Sequence, residues 1–213
     1  MNIAILYSGS KSNIYLDKLL KFLKSYNDDK IYLLKKKPIT NTFLINKKIN
    51  FLISFHNQYI LNKTHIEILK NNCINFHSSL LPICKGSDPI LFSAANKNTF
   101  GITIHKINEN LDDGEYLYQK KINLNKFDTL KKAHSKHENE SIKGFKLIYP
   151  KIRNSIQKNE KIQTNKYSTK KKSSFFWKSQ SLKMRKLLPK LWNTKIFEVR
   201  KIFLKNKKHI LTK

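Results

Sequence analysis

Asn75 and His77 stand two residues apart in the run Cys73-Ile-Asn-Phe-His. If that run is a strand, period-two alternation puts both side chains on one face. An amide donor beside an imidazole, at the C-terminal end of a strand in an open α/β sheet, stands where such folds place their ligands. A second polar segment, Gly101-Ile-Thr-Ile-His, leads through Leu111-Asp112-Asp113-Gly114 and supplies a carboxylate in a tight turn. Asn, His and Asp can together form an acyl-transfer site. The chain has five glycines, and Gly9, Gly86, Gly101 and Gly114 punctuate these polar segments, which points to backbone conformations that other residues do not take.

The surrounding elements must hold those side chains. Residues 2–7, NIAILY, form a short apolar run followed by Ser-Gly-Ser, then by Tyr15, Leu16, Leu19, Leu20 and Leu23 at helical spacing. Ser12 or Asn13 sits where an N-cap belongs, so the N–H groups opening that helix could hold an anion. Ile31–Leu34 and Asn50–Ser54 read as buried strands, and Thr64–Leu69 as a helix before the strand Cys73–Phe76. This order predicts an α/β fold with an open, mostly parallel, doubly wound twisted sheet and helices on both faces. Pro89 is expected at the start of a helix reaching Ala95, and two more strands are expected at Gly101–Ile107 and Tyr116–Ile122. A long helix capped by Asp128 and disturbed near Pro150 closes the domain. The expected division is residues 1–152 as the main domain and 153–213 as a basic linker with a short C-terminal extension.

The 213 residues carry 43 Lys+Arg and 14 Asp+Glu, a formal net charge of +29 and a pI near 10.1. Residues 1–125 account for +8 and residues 126–213 for +21, so the excess belongs to the C-terminal third. A nucleic-acid or other anionic partner is therefore weighed, against an even compositional drift towards Lys, Asn and Ile. No run approaches the roughly 18 apolar residues of a membrane span. The opening residues lack a secretory pattern, so a cytoplasmic protein is expected. Cys73 and Cys84, the only cysteines, are expected as free thiols.

Taken together, the motifs resemble the 10-formyltetrahydrofolate-dependent formyltransferases, whose pattern is N-x-H-x-S-L-L-P-x-x-x-G, then G-x-T-x-H, then L-D-x-G. Here the fixed positions are Asn75, His77, Ser79, Leu80, Leu81, Pro82 and Gly86; Gly101, Thr103 and His105; and Leu111, Asp112 and Gly114. The likeness covers roughly residues 1–150. It implies transfer of a formyl group from 10-formyltetrahydrofolate to a primary amine, with Asn75, His77 and Asp112 as catalytic residues and no metal. It implies that Asn75 and a protonated His77 face the oxyanion while Asp112 orients His77 and helps move the amine proton. It also implies a folate site at Tyr59, Ile60 and Leu61 and at Ile107, Asn108, Glu109, Asn110 and Leu111, although Phe55-His-Asn-Gln-Tyr departs from the family's small-residue versions.

The acceptor separates the family's members. Ser8-Gly9-Ser10-Lys11-Ser12-Asn13 resembles the phosphate loop of the glycinamide ribonucleotide enzymes, with Gly9, Lys11, Ser12 and Asn13 as phosphate contacts and Lys11 in place of the second glycine. Lys85-Gly86-Ser87-Asp88-Pro89-Ile90 resembles tRNA and sugar formyltransferases, and the segment Phe175–Phe203 is similar to sugar formyltransferase tails. An amino sugar on a nucleotide carrier is the preferred acceptor. Glycinamide ribonucleotide, methionyl-tRNA and water stay as alternatives, as does a basic RNA-binding protein with a vestigial site whose tail, with Trp177 and Trp192, touches RNA. Blander readings stand beside these. Asn13 can simply cap a helix, Asp112 can simply form a turn, His105 is expected as a hydrogen-bonding residue, and His134, His137 and Glu138 as a helix face and not a metal site.

Overall fold

The computed structural model describes residues 1–9, 13–164 and 173–212. Strands β1 (Asn2–Tyr7), β2 (Lys30–Lys35), β3 (Phe51–Phe55), β4 (Cys73–His77), β6 (Gly101–Lys106) and β7 (Tyr116–Lys121) form one sheet in the order β2-β1-β3-β4-β6-β7. β1 pairs in parallel with both β2 and β3, and β3 in parallel with β4. Two-residue strands β5 (Lys85–Gly86) and β8 (Phe175–Phe176) pair separately, also in parallel. The helices are α1 (Ile14–Lys24), α2 (Asn41–Asn46), α3 (Lys63–Ile68), α4 (Pro89–Asn96), α5 (Leu130–Gln157), α6 (Lys178–Lys186) and α7 (Ile196–Leu211). This is the mostly parallel α/β architecture expected from the order of apolar runs.

The residues group into two compact units. The first comprises Met1–Phe76, Ile104–Tyr118 and Ser141–Lys166. Every residue of β3 is buried, as a parallel strand covered on both faces requires, whereas the ends of edge strand β2 expose Lys30 and Lys35. Alternation along β1 sorts its side chains between two cores. Ile3, Ile5 and Tyr7 pack with Leu16, Leu19 and Leu23 of α1 and Phe145 and Tyr149 of α5. Ala4 and Leu6 pack with Leu44 of α2 and Ile66 of α3. Asp29 ties the far end of α5 to this unit, accepting from the Tyr149 hydroxyl (2.6 Å), Arg153 Nε (3.2 Å) and the N-terminal ammonium (2.7 Å). Burial works to raise the Asp29 pKa, but these three donors overcome it and hold the carboxyl below its ordinary range.

The second unit comprises His77–Thr103, Gln119–Glu140 and Tyr167–Lys213. Its core sets Ile90, Leu91, Phe92, Ala94 and Ala95 of α4 against Leu130 and Ala133 of α5, Met184 of α6, and Val199, Phe203 and Ile210 of α7. Phe92 and Phe176 stack with ring centroids 3.9 Å apart. Asp88, just before Pro89, takes a left-handed conformation at φ 48° and receives Arg185 and Ser181 of α6 on its carboxylate.

Several local features differ from the sequence expectation. α5 begins behind Thr129, whose Oγ1 accepts the Lys132 N–H, while Asp128 accepts from the Asn125 N–H and pairs with Lys132 at 2.7 Å. α5 continues through Pro150 to Gln157. α2, a six-residue helix capped by Thr40, and strands β5 and β8 have too few residues to produce a periodic pattern.

Candidate active site

In the first unit the carboxylate turn is fixed by close backbone approach. A Cβ at Gly114 would lie 1.8 Å from the Lys106 carbonyl oxygen, so only glycine lets the turn fold onto β6. Asp112 sits at φ 51°, in the left-handed region that Asp tolerates. The turn delivers Asp112 to Asn75, whose Nδ2 donates to Asp112 Oδ1 at 3.2 Å. Asn75 Nδ2 also lies 3.3 Å from His105 Nε2, and His105 Nε2 lies 3.6 Å from Asp112 Oδ1. His105 Nδ1 is 2.8 Å from the Lys106 carbonyl, which can only accept, so Nδ1 carries a hydrogen. In the neutral ring Nε2 is then an acceptor, and the amide of Asn75 bridges imidazole and carboxylate with its two hydrogens. His105 and Asp112 are both buried. Neighbouring Lys106 is mostly buried too, and desolvation lowers its pKa although Glu115 lies 3.8 Å away.

His77 ends β4, is buried, and belongs to the second unit. Its Nε2 is 2.8 Å from the Cys84 carbonyl, which can only accept, so Nε2 bears a hydrogen. The loop supplying that carbonyl is held by buried polar groups. Ser79 Oγ donates to the Ile83 carbonyl at 2.5 Å, and Thr103 Oγ1 donates to the Ser79 carbonyl at 2.7 Å while accepting the Leu81 N–H at 3.1 Å. Gln119 Nε2 adds bonds to the Leu81 carbonyl and Thr103 Oγ1, both at 3.0 Å. These contacts give physical work to Ser79 and Thr103, two letters of the sequence pattern. Gln119 is a further supporting residue that sequence reasoning missed, because its partners lie 16 and 38 residues away.

Both segments expected to contact folate lie in the first unit with Asn75 and Asp112. Tyr59 is held by Asn57, which accepts its N–H at 3.1 Å and donates to its carbonyl at 2.7 Å, and its hydroxyl donates to the Lys36 carbonyl. Ile60 is 73% exposed, while Leu61 is buried and packs in the same cluster as Ile107. Asn108, Glu109, Asn110 and Leu111 are exposed, and Asn108 braces its own loop by accepting the Asn110 N–H and donating to the Asp113 carbonyl. Of the expected phosphate contacts, Lys11 and Ser12 lie outside the described residues. Asn13 caps α1, accepting the Tyr15 and Leu16 N–H groups at 2.8 and 3.2 Å, and Gly9 stands where a Cβ would meet the Tyr7 ring.

Cys73 and Cys84 are free and buried, and burial pushes the Cys73 thiol up to about 12. Among the described residues no three His, Cys, Asp or Glu side chains are arranged to hold a metal ion. His137 donates to the Ala133 carbonyl, with its pKa pushed down to about 4 by burial, and His134 packs against the Trp192 ring. No helix among the described residues is long and apolar enough to cross a membrane.

Residues 45–147 match the family model described as formyl transferase. Methionyl-tRNA formyltransferase from Thermodesulfovibrio yellowstonii is 41% identical over 90 residues, 42% of this chain but only 28% of that protein. The crystal structure of the formyltransferase PseJ from Anoxybacillus kamchatkensis, in complex with UDP-4,6-dideoxy-4-formamido-L-AltNAc and tetrahydrofolate, is 28% identical with a TM-score of 0.77, covering 93% of this chain and 97% of that one. Phosphoribosylglycinamide formyltransferase from Bacillus halodurans shares the fold at 19% identity and a TM-score of 0.60, covering 68% of this chain and 92% of that chain. The sequence pattern, the sheet and these similarities converge on the formyltransferase family, whose model is matched by residues 45–147.

Proposed function

We propose that this protein moves a formyl group from 10-formyltetrahydrofolate, a co-substrate, to a primary amine on a nucleotide-linked amino sugar. The observation carrying the chemistry is the Asn75–Asp112 bond beside His105, a half-buried donor held on a buried carboxylate. Attack of a neutral amine on the formyl carbon gives a tetrahedral oxyanion, and catalysis requires donors aimed at that charge. Asn75 supplies one: the hydrogen that faces His105 turns to the oxyanion while the other stays on Asp112. Protonated at Nδ1, His77 supplies positive charge, with Nε2 anchored on Cys84. Asp112, as the carboxylate, takes the proton lost by the amine, directly or through water. The amine nitrogen gains the carbon that the folate nitrogen loses, and that proton goes to the leaving nitrogen.

The co-substrate reading fits two braced, solvent-facing segments of the first unit. Ile60 offers an apolar surface, and the Asn108 turn presents main chain at Glu109–Leu111. Support for the sugar acceptor comes from the similarity to PseJ, which extends over 97% of that chain and so includes the C-terminal segment. Glycinamide ribonucleotide is the second reading, resting on the resemblance of the loop at residues 8–13 to a phosphate loop, although Asn13 there caps α1. The test is formylation by mass spectrometry with 10-formyltetrahydrofolate and, in parallel, UDP-linked 4-amino sugars, glycinamide ribonucleotide and methionyl-tRNA. Product with the sugar nucleotide, lost in His77→Asn, supports the proposal, and product only with another acceptor replaces it.

A further inference from the structure

We propose that Ser174, ahead of β8 in the C-terminal segment, is a positioning residue for His77. The proposal rests on the reading of His77 as catalytic. The peptide that accepts the His77 ring hydrogen is Cys84–Lys85, and its two polar ends are engaged within the second unit: the carbonyl by His77 Nε2 at 2.8 Å, the Lys85 N–H by the Ser174 carbonyl at 2.8 Å. The preceding N–H, on Cys84, donates to Ser174 Oγ at 2.9 Å. Ser174 N–H in turn donates to the Pro82 carbonyl at 3.2 Å, and Ser87 N–H to the Phe176 carbonyl at 2.9 Å. One residue, 90 positions from Cys84, therefore fixes both peptide N–H groups that flank it.

Two consequences follow from elementary chemistry. A carbonyl whose own peptide N–H is hydrogen-bonded is the stronger acceptor, because hydrogen bonds in a chain polarise one another. The row Ser174 C=O, Lys85 N–H, Cys84 C=O, His77 Nε2–H thus favours the Nε2–H tautomer and the charged ring, and the Ser174 Oγ bond to the Cys84 N–H, the one contact that Ser174→Ala removes, holds the Cys84 carbonyl aimed along that row. Cys84 also sits at φ 54°, a left-handed conformation that is unfavourable for a residue with a β-carbon and persists where surrounding bonds over-determine it. Gly86 reports the same closeness, since at φ 85° a Cβ there would lie 2.4 Å from the Phe176 carbonyl oxygen. The C-terminal segment therefore acts on the site through the main chain of residues 82–87 without supplying a reacting group.

The test is Ser174→Ala, with Ser174→Thr as the conservative partner, in the full chain. Expected for Ser174→Ala is a kcat about tenfold lower with the KM for 10-formyltetrahydrofolate unchanged, since small misplacements of a reacting group are costly. The His77 titration, followed by ring ¹⁵N shifts and assigned against His77→Asn, is expected to move to lower pH, and Ser174→Thr to restore both. Wild-type kcat and His77 titration in Ser174→Ala, even with a lowered melting temperature, would overturn the proposal. Should Ser174→Ala fail to fold, Ser174→Cys, a weaker acceptor, is read the same way. If His77→Asn transfers formyl normally the catalytic reading falls, whereas the His77 titration in Ser174→Ala still decides the positioning claim.

Discussion

The two compact units hold their candidate reacting groups in different ways. In the first, Asn75, His105 and Asp112 orient one another by side chain, with glycine at 114 letting the turn close. In the second, His77 rests on a main-chain carbonyl, and the polar side chains of Ser79, Thr103, Gln119 and Ser174 are spent on the loop that presents it. The first arrangement lets a proton or an amide hydrogen change partner, as a group that follows a developing charge must. The second holds one nitrogen of a ring on a fixed main-chain acceptor.

That contrast can be broken at graded cost. Asp112→Asn and His77→Asn should each lower the rate of formyl transfer by about 10²–10⁴, as removal of a positioned acid or base does, with little change in melting temperature. Gly114→Ala puts a Cβ onto the Lys106 carbonyl and should destabilise the first unit by about 3 kcal/mol, visible as a lower urea midpoint. Thr103→Val strips one hydroxyl of three bonds and should cost about 1–3 kcal/mol, a smaller midpoint shift accompanied by lost activity as the His77 loop loosens. Asp29 sharpens the comparison through pH. Its folded-state pKa is depressed, so its stabilisation is present above the ordinary carboxylate range and is lost as pH falls through the depressed value. Melting temperatures from about pH 6 to about pH 2 should fall more steeply for the wild type than for Asp29→Asn. Arg185→Lys breaks a forked pair with Asp88 on a partly exposed side chain and should cost less than about 1 kcal/mol.

How far the sequence reveals this follows from the range of each interaction. Continuous apolar runs mark β1 and β3 because parallel strands are buried on both faces, and the Asn13 cap is visible because its partners are two and three residues away. The pattern letters Asn75, His77, Ser79, Thr103 and Asp112 are legible as a set, since the chemistry fixes residue type and the turns fix spacing. Gln119 and Ser174 are not legible, because their contacts are mostly to main chain, which leaves no complementary residue type elsewhere in the chain. The capping role given to Asp128 falls to Thr129, which stands immediately before the helix, while Asp128 accepts the Asn125 N–H and pairs with Lys132. Lys11 and Ser12 lie outside the described residues, so the phosphate reading of that loop rests on Gly9 and Asn13 alone.

Asn75, His77 and Asp112 are proposed to serve one formyl transfer. Single-turnover formylation of a UDP-linked 4-amino sugar from 10-formyltetrahydrofolate by the wild type, His77→Asn, Asp112→Asn and the double variant tests it most directly. Residues acting as one unit are strongly non-additive, so the double variant is predicted to lose little more than the worse single variant. Losses that simply multiply, or wild-type turnover in either single variant, would contradict the account.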